Sequence, residues 1–113
     1  MNEKPTPSQR ITAEVTSWSG VTAGPGRRGE FGFRLGRREI GHLHGDYAAH
    51  FMFSKALGAQ LKSEGRVVDH PVFPGKTAPG ARRIETDEDV EDVIAMMRLN
   101  YDRIAAVQRA SAA

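Results

Sequence analysis

The stretch Phe31–Asp46, FGFRLGRREIGHLHGD, constrains this chain more than any other. Its apolar and polar residues alternate on both sides of a glycine-arginine step, the pattern of two strands half buried on one face. Gly36-Arg37 is a two-residue loop in this reading, with glycine free to take the positive φ of a tight hairpin turn. Leu35 then pairs with Arg38, Arg34 with Glu39, Phe33 with Ile40 and Phe31 with His42. Directly paired residues share a face of the sheet. The predicted apolar face therefore holds Phe31, Phe33, Leu35, Ile40, His42 and His44, and the other holds Gly32, Arg34, Glu39, Gly41 and Leu43. This register gathers the aromatics and sets Arg34 against Glu39 as an ion pair, and a slip of one residue would undo both.

His42 and His44 stand at the polar end of that face, two residues apart on one strand and followed by Asp46. Neutral imidazole nitrogen suits zinc and similar ions, and a carboxylate can complete a three-ligand set, so His42, His44 and Asp46 form a candidate divalent-metal site. The plainer account is two packed histidines bonded to backbone at a sheet edge. His-Leu-His-Gly-Asp also fits the H-x-H-x-D pattern of metallo-β-lactamase-like hydrolases. That pattern continues with a histidine where this chain has Tyr47.

A chain of 113 residues supports one domain with a core of its own. It has no cysteine, which excludes disulfides, thiolate nucleophiles and cysteine-ligated metal. No apolar run reaches the ~20 residues of a membrane helix, and the first ten residues lack the apolar core of a signal peptide. The sequence therefore predicts a cytoplasmic protein without a membrane segment. Its net charge of +2 divides unevenly, at +6 over residues 1–84 and −4 over 85–113. The acidic excess lies at the start of the last helix, where it complements the helix dipole. The basic remainder centres on Arg27, Arg28, Arg34, Arg37 and Arg38, a patch suited to an anion and diluted by Glu30 and Glu39.

Taken in order, residues 1–5 read as a tail, 6–108 as one domain and 109–113 as a frayed end. Thr6-Pro7-Ser8-Gln9 is a helix start, with a threonine N-cap, proline at the first position and a glutamine capping-box partner. Ile11, Val15 and Trp18 form its buried stripe, Trp18 as a core anchor, and Gly20 ends it. Val21-Thr22-Ala23 is a short strand. Gly24–Gly29 matches G-x-G-x-x-G literally, yet a strand follows where a dinucleotide fold needs a helix, so the segment is a turn. Arg27 and Arg28 make it a candidate anion site. Tyr47–Phe53 is apolar and extended, crossing the sheet edge. Ser54 caps a helix through Glu64 that is stopped by Gly65, and Val67–Phe73 is a strand carrying His70, which Pro71 places at an edge or ends early. Pro74–Gly80 is a loop suited to a mobile flap. Ala81–Glu85 is the last strand, and Thr86 opens a final helix with Val90, Val93, Ile94, Met97, Tyr101 and Ile104 on one face. Met96 and Met97 are core filler. The order α-β-β-β-α-β-β-α predicts an α+β fold, an antiparallel sheet of about five strands with helices on one face.

Arg34-Leu35-Gly36, Glu39-Ile40-Gly41-His42-Leu43-His44-Gly45, Asp69-His70-Pro71-Val72-Phe73-Pro74, Thr86–Val90 and Arg98-Leu99-Asn100-Tyr101 together resemble the small bacterial and fungal family labelled luciferase-like domain. The similarity spans Ile11 to Arg103. The label does not itself imply light emission. The resemblance carries His42, His44 and His70 over as candidate site members. Relatives often have a serine-glycine-tryptophan step after the His-x-x-x-Pro strand. This chain has Lys76-Thr77-Ala78-Pro79-Gly80 there, which implies a more open pocket.

Three functions compete. The first is a non-catalytic module binding a small molecule or a protein partner in a pocket lined by His42, His44, His70, Phe31 and Phe33. The second is a metal-dependent enzyme using His42, His44 and either Asp46 or His70. Nucleic-acid binding through Arg27–Arg38 ranks third and is disfavoured, because no recognition motif accompanies the arginines. The exposed sheet edge is compatible with a monomer or a homodimer.

Overall fold

The N-terminal helix begins as its capping residues dictate. In the computed structural model, which describes residues 3–112, α1 (Pro7–Thr16) starts at Thr6 with both capping-box bonds formed. Met1, Asn2 and Ala113 lie outside the described residues, and with them part of the expected tail and the last residue of the expected frayed end. Ile11 and Val15 are fully buried and Trp18 nearly so, packed against Tyr101 at 5.4 Å between ring centroids.

Six antiparallel strands follow, one more than expected: β1 (Val21–Pro25), β2 (Phe31–Leu35), β3 (Arg38–His44), β4 (Ala48–Met52), β5 (Val68–Asp69) and β6 (Pro79–Arg83). Their order in the sheet is β1-β2-β3-β4-β6-β5. The glycine-rich segment is a hairpin turn between β1 and β2, closed by the Gly26 N–H on the Glu30 carbonyl at 2.7 Å. The added strand is β4, in the segment expected only to cross the edge; it lies inside the sheet, between β3 and β6. Its alternation is regular, with Ala49 and Phe51 buried and Ala48, His50 and Met52 on the other side. β5 lies at the sheet edge and stops at Asp69, the early end that Pro71 allowed within Val67–Phe73, since proline has no N–H to give a ladder.

Two further helices complete the chain, α2 (Lys55–Ser63) and α3 (Asp87–Ala112). Ser54 caps α2 by accepting the Leu57 N–H, and Gly65 follows in the left-handed region. Thr86 and Asp89 exchange bonds at the start of α3, which continues through most of the expected frayed end to Ala112. Arg82 on β6 grips Asp89 and Asp92, tying the first turns of α3 to the sheet. α1 packs on α3, α3 lies across the inner face of the sheet, and Leu61 of α2 joins the same core. Met96 and Met97 are fully buried in it.

The hairpin register departs from expectation at one residue, with large effect. Leu35 pairs with Arg38 and Arg34 with Glu39, but Phe33 pairs with Gly41, Gly32 with His42 and Phe31 with Leu43. Ile40 is the extra residue of a β-bulge. The bulge lets Ile40 and Leu43 both point inward, and both are buried. It also turns His42 and His44 to the outer face, away from Phe31 and Phe33. Gly41 is required there: a Cβ would come within 2.8 Å of the His50 carbonyl and 2.9 Å of Met97.

Candidate metal centre

The bulge and the pleat together put His42, His44 and His50 on the face opposite the core, and the chain leaving β5 brings His70 against them. His42 and His44 alternate outward on β3, and His50 is the direct cross-strand partner of His42 on β4. Ring centroids are 4.9 Å apart for His42 and His44, 5.1 Å for His42 and His50, and 4.4 Å for His44 and His50. Each ring offers one nitrogen such that all three lie within 4.8 Å of one another, so the triad can hold a metal ion. His70, just past β5, lies against His50 with centroids 4.2 Å apart.

Two ring nitrogens in this cluster, His44 Nε2 and His50 Nδ1, are sealed from solvent and have no hydrogen-bond partner. Buried polar atoms are nearly always paired, so two orphans side by side need an explanation. Three of the rings are also held in the neutral, lone-pair-bearing form. Burial, followed by the mutual repulsion of the rings, lowers His50 to about 4. Burial and the charge of His42 lower His44, and burial with the charges of His42 and His44 lowers His70. Glu39 reaches His42 Nδ1 at 3.2 Å, the carboxylate–imidazole contact that fixes ring orientation behind a metal-binding nitrogen. Glu39 therefore faces Arg34 in the ladder but turns its carboxylate to the histidine, and the expected ion pair does not form.

The cluster floors an open cleft of about 360 Å³. Arg28, Glu30, Arg34 and Glu39 line one side and Met52, Val72 and Phe73 the other. Met52, Val72 and Phe73 are exposed apolar residues beside the polar floor. Glu30 is held below the usual carboxylate range, chiefly by the Arg28 N–H. Arg27 and Arg28 stand on the β1–β2 turn and line an adjoining groove that shares Glu30, Arg34 and Glu39 with the cleft.

The structure thus brings together His42, His44 and His70 from the expected set and separates the rest. Phe33 is fully buried and Phe31 packs against the same core, so neither reaches the histidines. Asp46 is no partner of the triad. Its carboxylate accepts the Ser8 N–H at 2.8 Å at the start of α1, which lowers its pKa. Its place is taken by His50, whose strand was not recognised although Ala49, Phe51 and Phe53 alternate around it.

The profile of the Luciferase domain matches residues 37–100, more than half of the chain. The chain belongs to the luciferase-domain family. Neither the curated proteins nor the solved structures compared contain a match. The luciferase-domain match runs from the hairpin turn into α3 and takes in all four histidines, Glu39 and the bulge. The family label names a domain and does not itself specify a chemistry. No helix among the described residues is long and apolar enough to cross a membrane.

Proposed function

We propose that this domain binds a divalent transition-metal ion through His42, His44 and His50 and uses it to hold a small molecule in the cleft above. The observation that carries the reading is the convergence of three imidazole donor atoms within 4.8 Å, two rings of which bear sealed nitrogens with no protein partner. Three imidazole donors suit zinc, copper, iron or nickel. Three protein ligands leave a coordination position for a further group, which is the arrangement of metal centres that bind and polarise a ligand. The cleft supplies room for that group, with Arg28 and Arg34 on its rim.

The test is metal analysis of protein purified without a histidine tag, followed by titration of the chelated protein with zinc, cobalt(II) and nickel. One ion per chain is expected, with a rise in melting temperature that His50→Ala abolishes. Uptake at less than one ion per chain, or uptake that His50→Ala leaves intact, rules the reading out.

A further inference from the structure

Four histidines meet in this cluster, and the hydrogen bonding of one sets it apart. The Val72 N–H donates to His70 Nδ1 at 3.1 Å. A neutral imidazole has one lone pair and one N–H, and a backbone N–H can approach only the lone pair. The proton of His70 is therefore on Nε2. Nothing among the described residues bonds to Nε2, and it is not one of the sealed, unpartnered nitrogens. His70 lines the cleft beside His50. It is absent from the set of rings whose donor atoms converge. An Nε2–H has no lone pair to give a metal, but it can donate to an oxygen or nitrogen bound on one.

We propose that His70 is the ligand-reading residue of this centre, its Nε2–H donating to an anion held by the ion on His42, His44 and His50. The inference rests on the metal reading above and assigns the ligand a class: a small molecule with a negatively charged donor atom, such as a carboxylate. Two features of the cleft agree with an anion, and an ion on the triad would add positive charge to them. Arg28 and Arg34 stand on the rim, and both carboxylates of the lining are engaged, Glu39 by His42 and Glu30 by the Arg28 N–H. The backbone bond from Val72 matters because it fixes both the tautomer and the direction of the donor. A ring free to flip would present a lone pair as often as a proton.

The experiment uses the full chain loaded with cobalt(II), with azide and acetate as probe anions read from the visible spectrum. His70→Ala is expected to retain one cobalt per chain and to weaken both anions about tenfold, the size of one hydrogen bond to a charged group. His70→Gln keeps an N–H donor and is expected to recover part of that loss. Nitrogen NMR of the metal-free protein is expected to show the Nε2–H tautomer at His70. Loss of cobalt in His70→Ala would make His70 a ligand and overturn the assignment, as would unchanged anion affinity or an Nδ1–H tautomer. A wild-type chain that takes up no cobalt overturns the metal reading itself and the ligand-reading role with it. Cobalt uptake by the wild-type chain tells the two failures apart, since with cobalt bound only the role of His70 is at stake.

Discussion

Asn100, fully buried on α3, donates from Nδ2 to the carbonyl of Ile40 at 2.7 Å, and Ile40 is the bulged residue that turns His42 and His44 outward. The same amide group donates to the Met52 carbonyl at 3.1 Å, and Oδ1 accepts from Arg103. One side chain therefore satisfies the ladder break in β3 and the end of β4, the two strands that carry the candidate ligands. Asn100→Ala leaves the buried Ile40 carbonyl without this donor, while the Met52 carbonyl keeps its bond from Arg103. It should destabilise the fold by about 1–3 kcal/mol, the cost of one orphaned buried group. Urea denaturation measures the loss. Metal uptake should weaken in the same variant under conditions where it remains folded, because the bulge that aims the histidines is released. Native uptake in a destabilised Asn100→Ala would show that the bulge holds its shape without the amide.

Acid should destabilise the metal-free protein in a defined window. His50 is held at about 4 against 6.5 for an unperturbed imidazole. Between those values the unfolded chain binds a proton that the folded chain excludes, so stability falls as pH drops from about 6.5 to about 4 and then levels. His44 and His70 act in the same direction. Asp89, lowered to about 2 by Arg82, adds its own loss below about pH 5, so the part of the decline above that pH belongs to the histidines. Melting temperatures between pH 7.5 and 4 should decline along this course, and His50→Leu should flatten it. A slope identical in wild type and variant would show that His50 is not the group responsible.

The loop that carries His70, Val72 and Phe73 is clamped where the sequence suggested a flap. Lys62 on α2 donates to the carbonyls of Lys76 and Thr77 at 2.6 and 3.1 Å and pairs with Asp69 at 3.0 Å. The other carboxylate oxygen of Asp69 takes the Gly75 N–H. Gly58 leaves room for the loop to cross α2, since a Cβ there would meet the Thr77 carbonyl. Lys62→Met should speed amide exchange across residues 75–78 about tenfold, equivalent to ~1.4 kcal/mol of local opening, while α3 amides keep their wild-type protection. Equal protection in both proteins would mean that Asp69 and Gly58 hold the loop unaided.

The helices were legible because their signals are local. Thr6, Ser54 and Thr86 mark their starts, and stripes such as Ile11–Val15 and Val90–Tyr101 need no knowledge of partners. The hairpin turn and its first two pairs were equally local. The bulge was not, because Asn100 and Met97, which act on it, lie some sixty residues away in sequence. A trace of it was nevertheless present. Regular alternation puts two histidines among phenylalanines and leaves Leu43 on the polar face, an assignment that an extra residue at Ile40 reverses. His50 was hidden for a similar reason: β4 reads as a plain apolar run until its neighbours are known to be buried on one side only.

His42, His44 and His50 fall within nine consecutive residues on one β-hairpin, and only His70 comes from a distant part of the chain. Contacts this short in sequence form before those that need a long loop to close. An ion held by the three would clasp β3 and β4 in register while the helices were still undocked, and would then aid nucleation as well as occupy the finished fold.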